Sequence, residues 1–341
     1  MKEQLIKITE AFFDAIDIQE ITTIQSGLIN NTYKISTDKG DFIVQQLNQN
    51  VFKNSSALLN NKIKICHFLE SKQFPTITYL RSRKGLFYVK EGADIWQLSC
   101  FIPSTVKDRI DSTEVAAKAG EHLAQFHEAL LDFPLDELEY TIPDFHNTCK
   151  RYTDFLENVA KANADRLVLA KDEIKKLQLF YSKIKKIATA IQEGIIPLRV
   201  VHNDTKISNM LFDDFGSIIC LIDFDTLMPG SILHDVGDAM RSGANTATEE
   251  EKELEKVNFD HIIYEAFMKA YLDIAKGFLT KEELENIHLS LPLLLFEQSC
   301  RFLGDFLIND PYYSTQYELQ NLVRTKTQLK LLEQVSAYFK L

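Results

Sequence analysis

His202, Asp204, Lys206 and Asn209 fall within one loop of eight residues, and Asp223 closes an apolar run fourteen positions after Asn209. These residue types at this spacing suit transfer of a phosphoryl group to a hydroxyl. Such a transfer asks for little covalent help from the protein. It needs the acceptor hydroxyl aimed at the γ-phosphate of ATP and positive charge against the phosphoryl oxygens. Asp204 is the candidate to orient the hydroxyl and take its proton. Lys206 would set an ammonium beside the γ-phosphate. Asn209 and Asp223 offer oxygen ligands for Mg²⁺, a cation that commonly takes one or two carboxylates and fills its shell with phosphate and water. Singly, each residue reads as well as part of a surface turn, or for Asp223 as a strand-end cap. Together they read as a kinase-like site.

A site of this kind must be held by short, well-defined elements. Leu211-Phe212 and Ile218–Ile222 are expected as two strands of a hairpin, with residues 213–217 as the turn, bringing Asp223 back towards Asn209. Asp235, further on, is a candidate to brace the loop by accepting hydrogen bonds from its backbone, with a helix cap as the competing role. His202 belongs to the same supporting set.

Upstream, residues 21–46 carry three clusters of β-formers separated by Ser26-Gly27 and Asp38-Lys39-Gly40. The first separator continues to Thr32. It lies between two strands, where kinase folds cover the ATP phosphates, so Gly27, Asn30 and Thr32 are nucleotide-contact candidates; a plain β-turn is the alternative. Residues 55–72 read as a helix. Thr76–Leu80, Leu86–Val89 and Trp96–Ile102 read as strands, ended by Pro103. Backbone groups around Cys100 and Ile102 are candidates to bond an adenine ring. Beyond Ser112 the pattern is helical apart from the motif region: Val115–Leu130, Ala164–Ile191, Asn258–Lys276, Lys281–Leu307 and Tyr317–Phe339. His127 is expected as a core histidine bonded to backbone, His146 as structural, and Glu249–Asp260 as an exposed acidic stretch. Arg301, in an apolar segment, needs a partner: Asp305 in a salt bridge, or a ligand hydroxyl.

A chain of 341 residues with 45% hydrophobic and 26% charged residues has room for two lobes around a substantial core. We expect an α+β fold, with a nucleotide-binding lobe over residues 1–102 and a catalytic and substrate-binding lobe over 103–341. The net charge of −11 argues against nucleic-acid or anionic-membrane partners. The longest mostly apolar run, Leu289–Phe296, is too short to span a bilayer. Five cysteines, odd in number and without a CxxC pair, read as reduced thiols of a cytoplasmic protein. No pattern bears on oligomeric state.

The stretch from His202 through Asn209, with Ile222-Asp223, resembles the catalytic and metal motifs of the aminoglycoside phosphotransferase and choline kinase superfamily. That resemblance implies a bilobal, protein-kinase-like fold over nearly the whole chain, with ATP and Mg²⁺ as cofactors. Other stretches are similar to bacterial N-acetylhexosamine 1-kinases. They are residues 26–33 and 46–53, Phe145-His146-Asn147-Thr148, residues 223–230, Gly237-Asp238-Ala239-Met240-Arg241, and Arg301-Phe302-Leu303 with Asp305. The resemblance implies Asp204 as base, Asn209 and Asp223 as magnesium ligands, Arg301 as a sugar contact, and a sugar hydroxyl at the anomeric carbon as acceptor. The sequence departs from the wider pattern in one place. Kinase-like folds carry a basic residue on the third strand and pair it with a helix glutamate. Here that strand offers Gln45, and the helix offers Asn60 or Asn61. With both charges missing, no unpaired charge is left buried, and the phosphates have no evident clamp. Rival readings are a kinase for another small alcohol, such as another sugar, choline or an aminoglycoside, and a nucleotide-binding pseudokinase. A protein kinase fits less well, because no Ala-Pro-Glu segment follows Asp223.

Overall fold

The computed structural model describes residues 1–24 and 29–341. The short helix α1 (Lys2–Glu10) leads into strands β1 (Ile18–Ile24), β2 (Asn31–Thr37) and β3 (Gly40–Gln46). Helix α2 (Ser55–Ser71) follows, then β4 (Val89–Glu91) and β5 (Asp94–Cys100). The five strands form one antiparallel sheet in the order β1-β2-β3-β5-β4. Alternation along the strands gives the sheet two different faces. Tyr33, Ile35, Phe42, Val44, Trp96 and Leu98 point one way and bury α1 through Leu5 and Ile8. The opposite face carries a polar row, since Thr32 pairs with Gln45 and Gln45 with Gln97. The expected strand at Thr76–Leu80 is reduced to a single bridge from Tyr79 to Ser99, and the one at Leu86–Val89 forms further on, as β4.

After β6 (Thr105–Val106) come the helices α3 (Thr113–Ala129), α4 (Thr148–Lys161), α5 (Ala164–Leu169) and α6 (Lys171–Gln192). The site region supplies β7 (Arg199–Val201), β8 (Met210–Phe212), β9 (Ile218–Leu221) and β10 (Met228–Gly230). Helices α7 (Ile232–Gly243), α8 (His261–Ala275), α9 (Lys281–Asn286), α10 (Ser290–Leu307) and α11 (Gln320–Phe339) complete the chain. Side-chain caps start most of them: Ser112 on α3, Asn147 on α4, Ser231 on α7 and Asp260 on α8, with a full capping box of Thr280 and Glu283 on α9. Two expected helices are each broken in two. Ala170 leaves helical geometry between α5 and α6, and a 3₁₀ turn at Ile287–Leu289 separates α9 from α10. Pro292 then sits in the first turn of α10, where its missing N–H costs nothing. One large apolar core joins α3, α7, α8, α10 and α11, and no helix among the described residues is long and apolar enough to cross a membrane.

α7 can lie against the start of α10 because Gly237 has no side chain. A Cβ there would sit 2.3 Å from the Ser290 carbonyl oxygen, which is backbone and cannot swing away. Gly237→Ala should therefore lower stability by about 1–3 kcal/mol, the usual range for overpacking. Calorimetry should show a melting temperature several degrees lower. An unchanged melting temperature would mean the two helices separate without cost.

Candidate active site

The catalytic-loop candidates sit between β7 and β8, and the hairpin β8–β9 forms where it was expected. Asp213 closes its turn by accepting from the amides of Phe215 and Ser217, and Gly216 supplies the positive φ of 73°. The hairpin returns Asp223 to Asn209: the Ile222 amide donates to the Asn209 carbonyl at 2.9 Å, and His202 Nε2 donates to the Ile222 carbonyl at 2.9 Å. His202 accepts the Asp204 amide on Nδ1, so its ring ties the loop to the strand end in one defined tautomer.

Asp204, Lys206 and Asn209 converge. Lys206 Nζ and Asn209 Nδ2 each donate to Asp204 Oδ2 at 2.9 Å, and Asn209 Nδ2 also reaches the Asp204 carbonyl at 2.8 Å. With its amide nitrogen committed, Asn209 keeps Oδ1 free among the described residues. Burial alone would raise the Asp204 carboxyl, but Lys206 overrides it and holds the acid below its ordinary value. Burial would likewise pull the Lys206 ammonium down, and the Asp204 and Asp223 carboxylates outweigh it, pushing it up to about 12.

Asp223 takes the left-handed conformation, φ 67° and ψ 54°, and its side chain makes no capping hydrogen bond. A strand-end cap is thereby excluded. Asn203 is also left-handed at φ 65°, so both segments that carry the site hold backbone conformations uncommon outside glycine. Burial, followed by the nearby Asp225 and Asp204 carboxylates, pushes Asp223 up to about 6. This surplus of negative charge fits a divalent cation, and the free Asn209 Oδ1 beside Asp223 supplies ligands of the right chemistry. Among the described residues no cluster of three or more His, Cys, Asp or Glu forms a self-contained metal cage. A cation here would complete its shell from phosphate and water.

Asp235 sits inside the first turn of α7, whose cap is Ser231, so the capping role falls to its neighbour. The Asp235 carboxylate accepts from the amides of His202 at 2.8 Å and Asn203 at 2.7 Å. It also meets His127 Nε2 at 3.0 Å, while His127 Nδ1 meets the Tyr271 hydroxyl at 2.9 Å. His127 thus bonds two side chains rather than backbone. His146 joins Glu297 Oε1 at 2.6 Å to the Asn203 carbonyl at 3.0 Å, so a second buried histidine supports the same loop from below. Thr148 holds the other Glu297 oxygen. Burial opposes the Glu297 charge, but His146 outweighs it and pushes the acid down to about 2.

The His234 ring packs tilted against His146 at 4.7 Å between centroids, and among the described residues neither of its ring nitrogens has a hydrogen-bond partner. Burial, aided by His146 and opposed by Glu297 and Asp235, pushes it down to about 3. Burial likewise pushes His122 down to about 4. In both cases the unfolded chain takes up a proton below pH 6.5 while the folded chain does not. Stability therefore falls as pH drops from 6.5 towards 4, by about 1.4 kcal/mol per pH unit for each ring. We expect the melting temperature to fall steadily from pH 6.5 to 4.5, and His234→Leu to flatten that slope by one proton. An unchanged slope in the variant would show that His234 protonates readily in the folded state.

The remaining candidates are placed as follows. Gly27 lies outside the described residues. The Asn30 amide donates to Asp225, and Asn30 Oδ1 accepts the Asn48 amide at 2.9 Å, so this residue ties the start of β2 to the segment after Asp223. Thr32 and Gln45 face each other across β2 and β3, 3.5 Å apart. The Cys100 amide is taken by the Thr78 carbonyl and the Phe101 amide by Asp41; no bond among the described residues engages the Ile102 amide. Arg301 forms no salt bridge with Asp305. That carboxylate accepts from the amides of Tyr312 and Tyr313 and from Asn321 instead. Arg301 packs over the rings of Phe145 (5.0 Å) and Tyr313 (5.7 Å) and donates to Gln298. Burial works against its charge, and the Tyr313 and Tyr312 phenols with the Glu297 and Asp204 carboxylates more than offset it. The stretch after Glu249 is less free than expected: Glu249 pairs with the buried Arg241 and Glu250 with the buried Arg324.

The site also contains a residue that spacing did not reveal. Lys62, on α2, is 1% exposed, pairs with Asp225 and donates to Gln97 Oε1 at 3.0 Å. Its neighbour Asn61 ties α2 to the Leu227 carbonyl just beyond, at 3.0 Å. The cation and acid missing from their usual places are therefore present with their origins changed, the cation on the helix and the acid two residues after Asp223.

Comparison with solved structures places this architecture. Spectinomycin phosphotransferase APH(9)-Ia, in complex with ADP and its antibiotic, superposes with a TM-score of 0.67 at 13% identity, covering 99% of this chain and 98% of that one. Amicoumacin kinase hAmiN, in complex with AMP-PNP, Ca²⁺ and Ami, gives 0.66 at 12% identity over 96% and 93%. Choline kinase from Cryptosporidium parvum Iowa II gives 0.59 at 13% over 100% and 97%. At these identities the likeness is one of fold: an antiparallel sheet at the N-terminal end and a helical C-terminal region. The model of the phosphotransferase enzyme family (APH) matches residues 20–270, well over half of the chain, and this protein belongs to that family.

Proposed function

We propose that this phosphotransferase moves the γ-phosphoryl group of ATP to the anomeric hydroxyl of an N-acetylhexosamine, giving the sugar 1-phosphate and ADP. In this reading residues 1–102 hold the nucleotide and residues 103–341 carry the acceptor and the catalytic loop, in a cytoplasmic enzyme. The convergence of Asp204, Lys206, Asn209 and Asp223 carries the phosphoryl-transfer part. Two of the structural relatives hold adenine nucleotides, one of them with a divalent cation. Asn209 Oδ1 and Asp223 would hold Mg²⁺, which when bound offsets charge on the phosphate oxygens.

Asp204 accepts a hydrogen bond from the acceptor hydroxyl and aims its oxygen at the γ-phosphorus. As the new P–O bond forms and the bond to ADP breaks, the hydroxyl proton passes to Asp204. A carboxylate held below its ordinary value is a weak base, so orientation is the larger part of its work and the proton moves late. An anomeric hydroxyl suits such a base, since the ring oxygen beside it makes it more acidic than an ordinary alcohol. Lys206 keeps the carboxylate ionised and presents its ammonium to the transferring group.

For the acceptor, the informative observation is Arg301. It is a half-buried guanidinium without a carboxylate partner among the described residues, framed by Phe145 and Tyr313 in the field of Asp204. Such a group favours a neutral, oxygen-rich acceptor over a cation. Of the acidic run Glu249-Glu250-Glu251, the stretch that would attract an amine, Glu249 and Glu250 are already paired with arginines. The test is phosphorus NMR of reactions of ATP-Mg²⁺ with N-acetylglucosamine and with N-acetylgalactosamine. A sugar 1-phosphate is expected. Product from choline or an aminoglycoside, and none from either sugar, would overturn the acceptor while keeping the family chemistry.

A further inference from the structure

We propose that Lys62, on helix α2, is the cation that holds the α- and β-phosphates of the nucleotide, in place of the strand lysine that this chain lacks. The proposal rests on the ATP reading above.

Gln45 occupies the strand position and belongs to the row Thr32–Gln45–Gln97 on the inner face of the sheet. A side chain reaching that row from α2 brings its charge to the point a lysine at position 45 would serve. Lys62 does this: its ammonium donates to Gln97 and lies 5.5 Å from the Tyr79 ring centre. Asp225 draws it to the metal segment and at the same time takes the Asn30 amide from the β1–β2 connection. Lys62 is thus fixed between the sheet and the segment that carries Asp223, and its partner Asp225 is itself bonded to Asn30.

A buried ion pair is a poor way to stabilise a fold, because desolvation of both charges commonly matches or exceeds their attraction. Packing alone does not account for keeping one here. An ammonium has three N–H donors, and Asp225 and Gln97 use two of them, which leaves one for a phosphate oxygen. Moving the lysine to the helix also couples α2 to catalysis. Any displacement of α2 withdraws the cation, and Asn61 guards against this by bonding the Leu227 and Glu139 carbonyls at 3.0 and 2.7 Å.

The test compares ligands with and without phosphates. Lys62→Met leaves Asp225 unpaired in the interior, so Lys62→Met/Asp225→Asn is made beside it to remove both charges. Folding is checked by circular dichroism and melting temperature. Titration calorimetry with Mg-ADP, and NMR titration with adenosine, give the two affinities. We expect the folded variant to bind Mg-ADP at least tenfold more weakly and adenosine within twofold of wild type. Adding Gln45→Lys to Lys62→Met, with Asp225 retained, should recover part of the Mg-ADP affinity. An unchanged ratio of the two affinities would overturn the proposal and leave Lys62 as a structural pair. A wild-type protein that binds neither ligand would overturn the ATP reading itself, and this proposal with it.

Discussion

Asp204→Asn should lower turnover by about three orders of magnitude or more while leaving the fold in place. The substitution keeps the shape of the side chain and removes the group that, in the proposed function, both aims the hydroxyl and receives its proton, an effect worth roughly 10²–10⁴ for a general base alone. Orientation adds to that loss, because Lys206 and Asn209 converge on one carboxylate oxygen and are left with a neutral amide in place of a charged anchor. Stability should change little. The Asp204 and Lys206 side chains are 26% and 33% exposed, so their ion pair is screened and worth about 1 kcal/mol or less. The KM for ATP should stay close to wild type, since in the proposed function Asp204 contacts the acceptor and not the nucleotide. Steady-state kinetics with circular dichroism would check this. Turnover within tenfold of wild type in a folded variant would remove Asp204 from the mechanism.

The part of the site legible in the sequence is the part built by local chain geometry. Asp204, Lys206 and Asn209 share one loop, and a hairpin with a readable turn returns Asp223 to them, so spacing alone foretold their meeting. The supporting groups come from far along the chain. Lys62 and Asp225 are separated by more than 160 residues, His127 and Asp235 by 108, and His146 and Glu297 by 151. No periodicity encodes such pairs. A weaker signal did exist: Lys62 lies among residues that face the interior of α2, and Glu297 follows directly on an apolar run. A charge in such a place must find a partner. Where kinase-like folds carry a helix glutamate, this chain has the neutral Asn60 and Asn61, and the charge on this stretch of helix is the lysine beside them. For Arg301, Asp305 was the wrong partner for a geometric reason. Four residues separate them on one helix, but Asp305 is turned to the loop beyond it and spends its oxygens on the amides of Tyr312 and Tyr313. The helix breaks at Ala170 and Ile287–Leu289 were hidden because the apolar pattern continues through both.

Asp223→Asn should abolish transfer and at the same time make the metal-free protein more stable. Activity is lost because an amide is a much weaker Mg²⁺ ligand than a carboxylate, and Asn209, the other candidate ligand, is already neutral. The gain in stability follows from the charge balance. Asp223 has the Asp225 and Asp204 carboxylates beside it, Lys206 and Lys62 offset them in part, and it stands at about 6 against an ordinary 3.8. A raised carboxyl means the folded chain binds its proton more tightly than the unfolded one. Stability is therefore lost as pH rises from 3.8 through 6, and the deficit persists at pH 7. The full difference would be about 3 kcal/mol, and partial exposure to the cleft reduces it to about 1–2 kcal/mol. Asparagine has no charge to bury and escapes that cost, so its melting temperature in chelator at pH 7 should be a few degrees higher than wild type. Mg²⁺ with a non-hydrolysable ATP analogue should then stabilise wild type and leave the variant nearly unchanged. A variant that melts lower than wild type in chelator would place Asp223 in the structure of the fold, and one that still turns over would remove it from the metal site. The expected combination, inactive and more stable, is one that misfolding cannot imitate, and it follows from burying Asp223 beside two other carboxylates whose charge Lys206 and Lys62 offset only in part.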